Sequence, residues 1–290
     1  MQTTIGRSVR ITGIGLHTGC QVSLQLQPAP EDTGIVFRRV DLQNFEIEAL
    51  RERVSRLVLA TTLTKRGVTL WTVEHVLSAL YGLGLSNLYI DIDSLEVPIL
   101  DGSAGPFVES VLEAGIREQS KERNFLKIQQ SFSLKQGDKL ISIEPSSTFR
   151  ITYEIDFTHP LIGYQSLDVE ITPESYSREI AFARTFGFYA EVEDMLKKGL
   201  IRGGSFENAV VLSETSIMNG ELRAPDEFVR HKILDLIGDV SLCGFPLIGH
   251  IRARKAGHAL HTDLATALTR NPKLCSKVTE SELISQVSNF

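Results

Sequence analysis

Cysteine is scarce in this chain. Three residues in 290, Cys20, Cys243 and Cys275, are too few and too scattered for a disulfide framework, and none forms a CxxC pair. That excludes a small disulfide-stapled secreted scaffold and predicts thiols in a reducing compartment. Long apolar runs are also missing: nothing approaches the ~18 residues needed to span a bilayer, so no stable membrane insertion is expected. The opening residues, Met1-Gln-Thr-Thr-Ile-Gly-Arg-Ser8, contain no apolar signal-peptide core and no cleavage pattern. The expected location is the cytoplasm, or the stroma or matrix of an organelle if the source is a eukaryote. Positive charge is in deficit, with 30 Lys and Arg against 36 Asp and Glu, a net charge of −6. A nucleic-acid partner is therefore not expected, and an anionic ligand would need a local basic patch. No obligate protein partner is evident.

What the chain does have is a 42% hydrophobic and 23% charged composition, that of a globular protein with a full core. Its length fits one large domain or two of ordinary size. Two ten-residue stretches share a skeleton: Val73-Glu-His-Val-Leu-Ser-Ala-Leu-Tyr-Gly82 and Val229-Arg-His-Lys-Ile-Leu-Asp-Leu-Ile-Gly238. Val, His, Leu and Gly recur in register, and Leu77 answers Ile233. Each reads as the start of an apolar helix ending at Gly, with its His in the first turn. The echo predicts two similar halves, each bringing one imidazole to a shared place.

Alternation and turn signals predict strands at 8–14, 21–27, 34–39 and 86–92 in the first half, and at 125–130, 139–144, 149–156, 167–171 and 247–254 in the second. Helical periodicity covers 70–80, 107–115, 173–185 and 227–242. These elements predict an α+β fold with helices layered on sheet. The expected boundaries are a first domain over 1–120, a polar linker at 117–124, and a second domain over 125–270. An aromatic and Gly-rich excursion at 186–212 interrupts the second domain, and 271–290 reads as a polar, frayed tail.

On a helix His231, Asp235 and Asp239 fall at i, i+4 and i+8, along one narrow face. Apolar residues cover the other faces, so these titratable groups are costly to bury unless something pairs with them. One resolution is a metal held by His231 and Asp235, with Asp239 orienting a further group. The other is an ordinary i,i+4 hydrogen bond on a solvated helix. Thr72 reads as an N-cap, putting Glu74 and His75 in the first turn, where a carboxylate also suits the helix dipole. Two His and a carboxylate, with a second carboxylate left over as base, make the donor set of a hydrolytic zinc site. His258 ends a predicted strand beside Arg254 and Lys255; it reads either as a protonated acid steadied by Asp239 or as an ordinary surface residue. Ser103 lacks the flanking Gly of a nucleophile elbow and reads as a turn residue. Gly203-Gly-Ser205 is no phosphate loop. His17 and His159 read as structural loop residues.

Several motifs together resemble a known family. They are Gly13-Ile-Gly-Leu-His-Thr-Gly19, Thr72-Val-Glu-His75, Pro98-Ile-Leu-Asp-Gly-Ser103, Ala183-Arg-Thr-Phe-Gly-Phe188, Gly203-Gly-Ser205, His231-Lys-Ile-Leu-Asp235 with Gly238-Asp239, and Gly257-His258. In this order, over about residues 5–265, they resemble the zinc-dependent UDP-3-O-acyl-N-acetylglucosamine deacetylases of lipid A biosynthesis. The resemblance implies a duplicated fold, each domain packing two helices on a mainly antiparallel sheet, with the site between the helix layers. It implies one zinc ion on His75, His231 and Asp235, Glu74 as general base, and His258 as general acid steadied by Asp239. Thr185 would stabilise the oxyanion. Lys232 and Lys255 would meet the UDP phosphates and Phe157 would stack on uracil. The 186–212 excursion, with Phe186, Phe188, Val192 and Ile201, would form the passage for the acyl chain. Where some members carry Cys near residue 60, this chain has Leu59-Ala-Thr-Thr62. The implied reaction is hydrolysis of the N-acetyl group, releasing acetate and a UDP-3-O-acyl-glucosamine. Two other readings stand beside it: a zinc amidohydrolase acting on another acylated sugar, and a non-catalytic zinc-stabilised module that binds UDP-sugars.

Overall fold

The computed structural model describes residues 1–55 and 60–287; Leu59 lies outside the described residues. Two sheets form the frame. The first contains β1 (Val9–Ile14), β2 (Gln21–Pro28), β3 (Ile35–Arg39), β4 (Phe45–Glu48) and β5 (Leu88–Ile92), ordered β1-β2-β5-β3-β4. The second contains β6 (Asn124–Ile128), β7 (Phe132–Gln136), β8 (Lys139–Glu144), β9 (Phe149–Asp156), β10 (Tyr164–Glu170), β11 (Leu247–Arg254) and β12 (Cys275–Thr279). Within it, β7, β8, β11, β9 and β10 repeat the order of the first sheet strand for strand. Even the exception recurs: β5 with β3 and β11 with β9 are parallel, while the other pairs in both five-strand sets are antiparallel.

The helices repeat as well. Helices α1 (Glu74–Gly82) and α2 (Gly105–Ala114) flank β5 in sequence. A short α3 (Tyr189–Lys197) lies in the excursion, and α4 (Glu227–Ser241) and α5 (His258–Arg270) then flank β11 as α1 and α2 flank β5. Alternation along β9 explains its place: Phe149, Ile151, Tyr153 and Ile155 are buried on one face. α4 is buried nearly all round, because it lies against its own sheet on one side and against α1 on the other. Gly238 makes that second contact possible. A Cβ there would come within 2.2 Å of the backbone oxygen of Glu74, so only glycine lets the two helices approach this closely. The echo with Val73–Gly82 suggested a helix ending at Gly238, but the glycine lies inside α4, whose limits, Glu227–Ser241, follow the periodicity expected over 227–242.

Three other expectations need correction. The stretch read as linker, 117–124, starts within a strand, Ile116–Glu118, which pairs antiparallel with Thr3–Ile5. The helix expected over 173–185 is a capped turn at Pro173–Ser175 followed by a π-turn at Tyr176–Ile180. It stops because the N–H groups of Arg184 and Thr185 turn away to Glu227 Oε1 and to the carbonyl of Gly102. The 271–290 segment is not simply frayed: β12 pairs antiparallel with β6, and Leu274, Cys275 and Val278 are buried. An otherwise open sheet edge is thereby covered. No helix among the described residues is long and apolar enough to cross a membrane.

Candidate active site

The first turn of α1 is reached through a strained residue. Thr72 sits in the left-handed region at φ 57, and its hydroxyl lies 3.2 Å from Glu96 Oε1. It is therefore not the expected side-chain cap; Val73 occupies the cap position with no capping hydrogen bond. Glu96, wholly buried, also accepts from the backbone N–H groups of His17 and Thr18 at 2.7 and 2.8 Å. This docks the 15–19 loop against α1. His17, read from sequence as a loop residue, lines the cleft instead, with its buried Nε2 unpartnered.

α1 and α4 bring His75, His231 and Asp235 together, each nearly or fully buried, with one donor atom apiece inside a mutual 4.8 Å. His231 Nδ1 lies 3.0 Å from the Ala183 carbonyl, which fixes the hydrogen on that nitrogen and leaves Nε2 bare. Bare Nε2 then faces Asp235 Oδ1 at 3.3 Å, and His75 Nε2 stands 3.8 Å from the same oxygen. Burial lowers the pKa of both imidazoles, His75 to about 3, so these are not ion pairs at neutral pH. Two neutral imidazoles and a carboxylate crowding one point make a donor set for a cation. Asp235 stays ionised: burial opposes this, but the Lys232 ammonium, 2.9 Å from Oδ2, holds its pKa low.

Glu74 lies beside this centre. Its Oε2 accepts from the backbone N–H of Thr61 at 3.1 Å. Burial, reinforced by the charges of Asp235 and Asp239 and opposed by His258, pushes its pKa up to about 8. One turn beyond Asp235, Asp239 Oδ2 meets His258 Nδ1 at 2.7 Å and His261 Nδ1 at 2.9 Å, while Oδ1 takes the Thr61 hydroxyl. Burial works against a charged His258 ring, but Asp239 outweighs it and raises the pKa to about 10. The sequence reading put His258 at a strand end; it is the first residue of α5, just beyond the turn. Asp239, His258 and His261 also bring one donor atom apiece within 4.8 Å of one another, but these atoms face one another at hydrogen-bond lengths, as N–H donors to a carboxylate.

The comparisons with known proteins agree on one family. A family model described as LpxC, UDP-3-O-acyl N-acetylglycosamine deacetylase, matches residues 2–270. The chain belongs to that family. A UDP-3-O-acyl-N-acetylglucosamine deacetylase of Myxococcus xanthus (strain DK1622) is 50% identical to it over 93% of this chain and 87% of its own. One of Solibacter usitatus (strain Ellin6076) is 45% identical over 99% and 97%.

Not every residue carried over from the family faces the cleft. Its volume is about 230 Å³, and Leu16, Thr185, Phe186 and Lys232 share its wall with the residues above. Phe157 packs among Phe186 and Phe188, with ring centroids 5.7 and 6.1 Å away, and does not line the cleft. Nor does Lys255, whose ammonium is held by Asp156 and Asp138. Ile201 abuts the cleft through its N–H, 3.4 Å from His17 Nδ1, and Val192 is half-buried on α3. Ser103 behaves as a turn residue, donating its N–H and hydroxyl to Asp101. A larger cleft of about 650 Å³ lies elsewhere between the halves, lined by Arg123, Lys121 and Lys277 among others. It holds none of the histidines, so size does not select the site. Thr61 and His261 had no motif to mark them, and His17, though inside the Gly13–Gly19 motif, had no metal-ligand spacing. Only the i,i+3 relation of His261 to His258 was there to be noticed.

Proposed function

We propose that this family member hydrolyses the N-acetyl group of a UDP-3-O-acyl-N-acetylglucosamine, releasing acetate and the free amine. The observation that carries the reading is the meeting of His75, His231 and Asp235 in one cleft with Glu74 and His258 beside them. Membership of a deacetylase family supports the choice of amide and sugar. His75, His231 and Asp235 would hold zinc, and their chemistry fits it: two neutral imidazoles, that of His231 with Nε2 left bare by the Ala183 carbonyl, and one ionised carboxylate. Bound there, zinc supplies Lewis-acid activation of water and of the amide carbonyl.

The protein's own groups do the rest. Glu74, buried beside the donor set, accepts the proton of the attacking water; burial makes it a stronger base than an exposed carboxylate. His258, cationic beside Asp239, gives its proton to the departing amine. Thr185 donates to the oxyanion as the carbonyl becomes tetrahedral. Lys232, in the cleft wall, would meet phosphate, and Phe186 beside it, with Phe188, Val192 and Ile201 along the excursion beyond the wall, would give the acyl chain an apolar path. Phe157 and Lys255 can take the uracil and phosphate roles only if substrate entry shifts them from their present partners. The test is mass-spectrometric detection of acetate from UDP-3-O-acyl-N-acetylglucosamine, with and without a chelator. Chelator-sensitive release is expected, and Glu74→Ala that keeps its zinc should be nearly inactive. Near-normal turnover by that variant would remove Glu74 as base.

A further inference from the structure

His261 has no part in the chemistry above, yet it is completely buried and both its ring nitrogens are engaged. It stands three residues after His258 on α5, so the two rings share one helix face, 6.1 Å apart and nearly perpendicular. Nδ1 points at the Asp239 oxygen that His258 also uses, and Nε2 lies 3.0 Å from the Tyr153 hydroxyl, which rises from β9 beneath the helix. Tyr153 is itself fully buried, and its hydroxyl also meets the Ala256 carbonyl at 2.8 Å.

We infer that His261, backed by Tyr153, is a positioning residue that fixes the Asp239 carboxylate in the orientation His258 requires. The inference rests on the proposed role of His258. The physical need is plain. A carboxylate turns easily about its last bond, because a terminal sp³–sp² torsion has a broad minimum. With the Thr61 hydroxyl on Oδ1 and His258 alone on Oδ2, the group would keep that freedom. A second imidazole on Oδ2, approaching from another direction, removes it. Hydrogen bookkeeping agrees. Burial keeps His261 neutral; with its hydrogen on Nδ1 for Asp239, bare Nε2 accepts from Tyr153, whose hydrogen is shared with Ala256. Three donors also fill three of the roughly four lone-pair sites of this fully buried carboxylate, which offsets much of its desolvation cost.

The test is a set of variants assayed for kcat and KM as holoenzyme. His261→Phe keeps the ring and loses the donor; kcat should fall about 10- to 100-fold, the usual range for loss of an orienting partner, with KM nearly unchanged. His261→Asn places an amide N–H where Nδ1 was and should restore most of kcat. In a His258→Ala background, His261→Phe should cost nothing further, because it acts through His258. Should His261→Phe fail to fold, Tyr153→Phe provides the same comparison with a smaller loss. Wild-type kcat in His261→Phe, a loss confined to KM, or an undiminished loss in the His258→Ala background would each overturn the inference. Full activity of His258→Ala alone would instead overturn the general-acid reading, so the two failures are separable.

Discussion

Gly238→Ala is the most direct test of how the two halves make one site. The added Cβ would lie 2.2 Å from Glu74 O, 2.8 Å from its carbonyl carbon and 2.9 Å from its Cα. All three are backbone atoms, so no rotamer change relieves the clash. Restoring ordinary contact at 3.4 Å means moving α1 and α4 apart by about 1.2 Å. Overpacking of this kind costs about 1–3 kcal/mol, which for a chain of this size lowers Tm by roughly 2–4 °C per kcal/mol. The effect on the site should exceed the effect on stability. His75 and Glu74 ride on one helix and His231, Asp235 and Asp239 on the other, so a shift of about 1 Å separates base from acid and splits the donor set; misplacement on that scale costs on the order of 100-fold in rate. Calorimetry, zinc content after dialysis, and kcat measure the three consequences. Gly187→Ala, where a Cβ meets nothing within 4 Å, serves as the stability control. Wild-type zinc retention and turnover in Gly238→Ala would refute the claim that helix approach at this glycine assembles the site.

Zinc uptake should release protons. With a pKa of about 8 in the metal-free protein, Glu74 is mostly protonated at pH 7, and an entering cation would expel that hydrogen. Titration in buffers of different ionisation enthalpy should find close to one proton fewer released by Glu74→Gln; equal release would contradict a protonated Glu74. His258 should make the metal-free protein lose stability in alkali. Its folded pKa, about 10, lies above the ordinary 6.5, so its contribution is full below 6.5 and is lost as pH rises toward 10. Denaturant midpoints across that window should fall in wild type and fall less in His258→Ala. Finally, Glu227 is wholly buried and accepts four hydrogen bonds, three from Arg184 and one from the backbone of Arg223. Glu227→Ala removes the carboxylate from half-buried Arg184, whose Nη2 keeps the Glu221 carbonyl, and should cost about 1–3 kcal/mol. It should also displace the neighbouring Thr185; an unchanged Tm would show the network to be dispensable.

Local spacing made much of this legible. Period-two alternation located β8, β9 and β11 at their observed limits, because a half-buried strand must alternate. The i, i+4, i+8 run put His231, Asp235 and Asp239 on one face of α4, because helix geometry allows nothing else. The echo of Val73–Gly82 in Val229–Gly238 announced the duplication, and the repeated strand order bears it out. Where hydrogen bonds were drawn to distant residues, local reading failed: Thr72 turned to Glu96, Arg184 to Glu227, and β12 to β6.

Sequence by itself thus determined each helix face and the chemistry available on it, since periodicity and residue type are properties of a short segment. Only the tertiary structure decided which faces meet. His75 reaches Asp235, and Thr61 joins Glu74 to Asp239, because two helices 150 residues apart in the chain touch at a glycine. His261 becomes a partner of Asp239 only when α5 packs over Tyr153. Contacts of that separation are selected by packing of the whole core, and no local pattern encodes them.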